Sequence, residues 1–330
     1  MDSRLMVGLL LVGTITAGLM LPRLSAHFAP FALPALFCMI VASLIPMARL
    51  KLEEVFSLER DILRIVFWQL FILPTIFLAA AYLAKINLSV MTLIAVTTCV
   101  GSLFASPALA DLLGLNQRKA LQCMVLSTFA MPFSYFFFMT VILHSEVDIE
   151  IADFIGRSGI FLMLPAALFL FYSAYAEDLP ESFVSRVENS ARWITIAALI
   201  VFGLGIIGSA SALLWTNPMR FATLLLVVTF LGVGMAFLTT IVMYRQGITN
   251  ALTASIVSGF RNVGLGFVLI QGSVSSEAAA YVGVSQIPIF FAPLVMQFFI
   301  SRSAGRHHQD EGVTRQPDAV TLPMPIASAA

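Results

Sequence analysis

Arg261 stands sixteen residues from Arg245 and sixteen from Glu277, the nearest charges on either side, inside the otherwise apolar stretch ASIVSGFRNVGLGFVLIQG. In a helix each interval spans about 24 Å, too far for one side chain to reach an interface by snorkelling. A guanidinium at the centre of a bilayer costs at least about 2.5–3.5 kcal/mol even on the most lenient scale. Something must compensate it. The partner is either structural, with Asp111 or freed backbone carbonyls as the candidates, or it is an anionic substrate held by a fixed cation. Intramembrane ionisable groups commonly mark substrate pathways, which favours the second reading.

The surroundings of Arg261 make a poor helix interior. Gly259, Gly264 and Gly266 flank Phe260-Arg261-Asn262, and glycine weakens a helix. Ser255, Ser258 and Asn262 share one helical face at i, i+3, i+7, available either to a substrate or to a neighbouring helix. A second weak point lies in TTCVGSLFASPALADLLGLNQ, where Pro107 removes a backbone donor and predicts a kink or break near Ser106-Pro107. Asp111 follows one turn later as a possible proton or ion-pair site. Broken backbone at membrane depth survives only when buried in protein or lining a wet cavity, and its unpaired N–H and C=O groups can themselves bind ions. The substrate-binding candidates are therefore Arg261, Asn262, Ser106, Pro107 and Ser258.

The elements that must position these residues follow from hydropathy. The chain has 330 residues, 59% hydrophobic and only 11% charged, against about 25% charged in soluble domains. Such a chain cannot cover a water-exposed globule and reads as an integral membrane protein. Its 18 basic residues balance 18 acidic ones, without the basic excess a nucleic-acid binder needs. Cys38, Cys99 and Cys123 show no CxxC spacing, so neither a disulfide framework nor a zinc site is expected. No Ser/His or His/Glu metal constellation falls within the apolar segments, which argues against an intramembrane enzyme.

At roughly 20 apolar residues per crossing, ten spans are predicted: about 5–22, 29–48, 63–84, 89–115, 118–143, 151–175, 192–215, 219–244, 248–272 and 277–301. Thirteen Lys and Arg fall on one side, and only Arg23, Lys85, Arg157 and Arg220 on the other. That bias places both termini in the cytoplasm. Shifting the first five spans by about 155 positions lays most of them on the second five and carries Ser106-Pro107 onto Arg261-Asn262. An odd number of spans per repeat makes the halves inverted, an architecture that recurs in transporters. The expected organisation is 1–175 for the first repeat (spans 1–5) plus span 6, and 176–191 for a cytoplasmic connector. Residues 192–302 hold spans 7–10, and 303–330 a disordered cytoplasmic tail. The fold class is all-α: ten transmembrane helices in two inverted five-helix repeats, with discontinuous spans 4 and 9 crossing near the midplane.

These residues, in this order, resemble the bile acid:sodium symporter family, whose superfamily also contains the arsenite efflux permeases. The resemblance covers about 5–301. It rests on a crossover near Ser106, a G-x-x-N crossover at Gly259–Asn262, the connector LGLNQRK, Ser127-Thr128 followed by Pro132, and ARLKLEEVF closing span 2. It implies a four-helix panel, a six-helix core holding the crossing helices, and alternating access for an organic anion. The family's ninth-span pattern, Glu-x-Gly-x-Gln-Asn, reads Val257, Gly259, Arg261 and Asn262 here. Its span-4 Ser-Asn pair reads Ser106-Pro107, and later polar ligands fall on Ala120 and Met124. The sodium ligands of the family are thus missing. Cys99 lies near the cysteine that arsenite permeases use, but their ninth-span Glu falls on Gly264, against arsenite transport.

The expected function is a secondary transporter of a small organic anion, not sodium-coupled in the family's usual way, with no cofactor and with the lipid bilayer and the anion as its partners. The alternatives are a non-transporting sensor or assembly subunit on the same fold, and a sodium-coupled symporter with rearranged ion sites.

Overall fold

A computed structural model describes residues 3–45, 59–142, 150–176, 178–270 and 277–291. Among these the chain is helical, without strands. Helix α1 (Ser3–Met20) leads into α2 (Pro22–Phe28), which continues through a tight turn into α3 (Ala32–Leu44). Helix α4 (Arg60–Phe67) passes through a wide π turn, Trp68–Ile72, into α5 (Leu73–Leu83). Two short helices follow, α6 (Leu88–Thr98) and α7 (Ser106–Leu112), then α8 (Gln117–Phe137). Helices α9 (Ile151–Ser158) and α10 (Leu164–Ala176) are joined by another π turn. After them come α11 (Glu181–Thr216), α12 (Pro218–Met243), α13 (Ile248–Gly259), α14 (Val263–Leu269) and α15 (277–291).

Among the described residues, six helical stretches are long and apolar enough to cross a membrane: Pro22–Leu44, Arg60–Leu83, Gln117–Thr140, Ile151–Ala176, Glu181–Thr216 and Pro218–Gln246. The boundaries depart from hydropathy where polar residues continue a helix. The second span begins at Pro22 and contains His27, and α11 begins at Glu181, inside the expected connector. The ARLKLEEVF stretch beyond Ile45, the predicted span 10 beyond 291 and the tail lie outside the described residues.

Local chemistry accounts for many helix ends. Asn87, Asn116, Asn217 and Asn262 each cap a helix, the side-chain oxygen accepting from the backbone N–H three residues on. Such caps satisfy one of the donors that a helix start leaves without partners. Of the three π turns among the described residues, Trp68–Ile72 and Gly159–Met163 end two residues before a proline, Pro74 and Pro165, and Phe138–Ile142 does not. Proline lacks an N–H and crowds the carbonyl of the preceding turn, and a widened turn absorbs that misfit.

Packing of α11 uses small residues. A Cβ on Gly205 would sit 2.8 Å from Phe28 O, and one on Gly283 of α15 would sit 2.8 Å from Ile206 O. Ser25 Oγ donates to Leu204 O, and Ser211 Oγ donates to Leu19 O at 2.8 Å. Small residues that let backbones approach are the usual device where lipid removes the hydrophobic driving force. Gly205→Val should therefore destabilise the protein by about 1–3 kcal/mol, read as a lower melting temperature in detergent. Gly13 has open space around its Cα, so Gly13→Ala should be neutral or stabilising by up to about 1 kcal/mol.

Candidate functional site: two broken helices joined at Arg261

The two weak segments do break, and the breaks meet. The first interruption occupies 99–105 and the second Phe260–Asn262. They pair as a short antiparallel bridge between Ser102 and Arg261. Leu103 N donates to Phe260 O at 2.9 Å, and Asn262 N donates to Gly101 O at 3.0 Å. The break in the first segment thus lies upstream of Ser106-Pro107. Pro107 sits in the first turn of α7, where its missing N–H costs nothing, so it starts a helix instead of kinking one.

Most backbone groups released by the interruption find partners inside the protein. Ser102 N donates to Ser127 Oγ at 3.1 Å, Ser102 Oγ to Val257 O at 2.9 Å, and Ser134 Oγ to Cys99 O at 3.3 Å. Gly101 is required by proximity, since a Cβ there would meet the Ser127 carbonyl at 3.1 Å. The opened backbone is therefore a joint more than a ligand cradle. This corrects the expectation that free N–H and C=O groups would themselves form the site.

Arg261 is 1% exposed and is held by oxygens. Its Nη1 donates to Val100 O at 2.8 Å and its Nη2 to Gln69 O at 2.9 Å. The Gln69 amide faces donors, so its oxygen lies on that side. There Oε1 accepts from Arg261 Nη1 at 2.8 Å and from Ser102 N at 3.0 Å. The freedom of Gln69 O has a covalent cause. In the π turn Leu73 N–H bonds Trp68 O, and the next bond in that register would run from residue 74 to Gln69 O. Pro74 has no N–H to give, so the carbonyl is left for Arg261.

Among the described residues no carboxylate pairs with Arg261. Asp111 does not reach it: the aspartate is exposed on α7, and the guanidinium makes its bonds to carbonyl and amide oxygens. A fully buried cation is thus hydrogen-bonded but electrically uncompensated by the described residues. Burial of an unpaired charge costs several kcal/mol.

The structure brings four of the candidate residues to this joint with polar atoms to spare. Arg261 Nε, Asn262 Nδ2, Ser106 Oγ and Ser258 Oγ are all buried without a hydrogen-bond partner. Buried polar groups are normally paired, so four beside one junction call for explanation. Two are N–H donors and two are hydroxyls, all on the segments that form the joint; such a donor-rich set with a cation suits an anion. Pro107 is buried and contributes shape alone. Ser255 is spent on packing, donating to Ala236 O at 2.9 Å.

Two further residues belong here. The sequence reading misses Gln69; its signal is an amide five positions before a proline in an apolar span. Tyr135, whose buried hydroxyl also has no partner, lies beside Gly266, where an added Cβ would be 3.5 Å from its oxygen.

No protein-family model matches the chain, and no curated protein matches it.

Removing the Gln69 amide leaves Arg261 Nη1 with one acceptor fewer and strips Ser102 N of an oxygen. Gln69→Leu should destabilise the fold by about 1–3 kcal/mol, measured by thermal or denaturant unfolding in detergent; unchanged stability would contradict the network.

Proposed function

We propose that this chain is a secondary transporter of a small organic anion, working by alternating access around Arg261. The observation that carries the reading is the uncompensated guanidinium beside the unfilled donors of Asn262, Ser106 and Ser258. An anion at Arg261 Nε would supply the missing charge and satisfy donors that otherwise stand idle. Asn262 and Arg261 orient it, and the two serines close the site. The junction as described is sealed from water, so the anion enters only when one broken pair moves against its neighbours.

The spacing of the helices supports an inverted repeat. Helices α4, α6 and α7 start at 60, 88 and 106, and α12, α13 and α14 at 218, 248 and 263. The offsets are 158, 160 and 157, a register a few residues longer than the 155 taken from hydropathy. At an offset of 159, Ser102 maps onto Arg261, so the antiparallel bridge joins equivalent residues, as a two-fold axis between halves would require. This reading includes ten spans with the joint near the midplane, a bacterial inner (plasma) membrane, and both termini in the cytoplasm by the distribution of basic residues. It also retains the likeness to the bile acid:sodium symporter family.

Sodium coupling is not expected. Val100 O, Gln69 O and Gln69 Oε1, the oxygens a small cation would use, are already taken by the guanidinium. At an effective dielectric of about 20, a second unit cation 4 Å away is repelled by about 4 kcal/mol, roughly a thousandfold in affinity.

Three measurements test this. A melting-temperature screen against organic acids should find ligands that stabilise the purified protein. Uptake of such a ligand into proteoliposomes should proceed equally with and without a sodium gradient. Strong sodium dependence that survives Arg261→Gln would refute the charge argument, and absence of flux would leave a sensor or assembly subunit. Gln69→Glu places a carboxylate against Arg261. It should preserve folding and abolish binding at the joint and uptake, because the charge is then satisfied internally; wild-type uptake by this variant would contradict the assignment.

A further inference from the structure

A second buried cation stands at the other end of the α8–α13 seam. Lys119 is only 9% exposed, and among the described residues its ammonium has one partner, Asn250 Oδ1, at 3.3 Å. An ammonium carries three donors, so two find no acceptor among those residues. No carboxylate pairs with it among the described residues, and Asp111, eight positions earlier, is exposed and makes no ion pair with it. Lys119 is also the third residue of α8, whose first turn contains no acid. Cations are disfavoured at the positive end of a helix. Burial, helix field and the lack of a counter-charge among the described residues all oppose this lysine, and one long hydrogen bond to a neutral amide does not offset them.

The seam connects this lysine to the joint. Asn116 N donates to Thr253 Oγ1 at 3.3 Å near the Lys119 end. Eight residues along α8, Ser127 contacts Ser102, which bonds Val257 of α13. Eight residues along α13 from Asn250 comes Ser258, with its unpartnered hydroxyl. Each path is about 12 Å of helix.

We infer that Lys119, with Asn250, is a second anion-binding station, loaded by the same carboxylate-type anion on its way to or from Arg261. This rests on the carrier reading of the Arg261 joint. The station holds the anion by the ammonium and by the second Nδ2 hydrogen of Asn250, the first of which donates to Gln246 O at 2.9 Å.

The test uses the purified full-length chain in a neutral detergent, with melting temperature read against acetate, benzoate and inorganic phosphate at fixed ionic strength. Lys119→Met should melt higher than wild type without added anion, because an unpaired buried charge is gone; a lysine kept for its bond to Asn250 would make that variant melt lower. In Arg261→Gln at least one probe anion should still raise the melting temperature, with apparent affinity weakened roughly tenfold or more. Adding Lys119→Met should remove that residual rise, and adding Lys119→Arg should keep it. Complete loss of response in Arg261→Gln, with Lys119→Met melting below wild type, overturns this station and leaves the carrier reading intact. Equal responses in wild type and Arg261→Gln that vanish in Lys119→Met sustain the station and overturn the carrier site. No response to any probe anion overturns both. Stabilisation by phosphatidylglycerol alone assigns the lysine to lipid headgroups and overturns the proposal.

Discussion

A guanidinium without a counter-charge among the described residues, held in the interior by carbonyl and amide oxygens, is the constraint around which the rest of this structure is arranged. Hydrogen bonds to Val100, Gln69 and the Gln69 amide direct the group, but neutral dipoles do not cancel its charge. Bringing those oxygens to one place requires two broken helices and one widened turn. The break at 99–105 exposes Val100 O, and the break at Phe260–Asn262 delivers Arg261. The π turn before Pro74 releases Gln69 O. Each irregularity would be a defect alone, and together they form one joint.

That arrangement separates structural from functional uses of polarity. Gly101, Ser102, Ser127, Ser134 and Ser255 are consumed in holding the helices together. What remains after them is a buried cation and a small set of unfilled donors on the same two broken segments. A buried polar network that is only partly satisfied is energetically costly, and it persists at a functional site when a ligand completes it. The same reasoning extends to Lys119, where the cost is again electrostatic and the compensation is again not supplied by the described side chains.

Much of this was legible in the residues and some was not. The isolation of Arg261, the glycines around it and the polar face of Ser258 and Asn262 pointed to the second break, because charge and helix propensity are local properties. The first break was placed a few residues late. Pro107 was read as disrupting a helix, whereas at a first turn its missing donor is harmless, and the chain opens upstream, at Gly101, where α8 comes too close for a side chain. Asp111 was a reasonable counter-ion by type, but whether two side chains meet depends on helix rotation, which spacing along the chain does not reveal. Gln69 and Tyr135 escaped notice because single polar residues in apolar spans are common, and their importance comes from what packs against them.

Equilibrium binding of one organic acid and of its primary amide to the purified protein tests the central claim most directly. The two ligands share size and shape and differ in charge. If the uncompensated cation at Arg261 is the receptor, the acid binds and the amide does not. Equal affinity for both would show that shape alone is recognised, and the account built on Arg261 would fail.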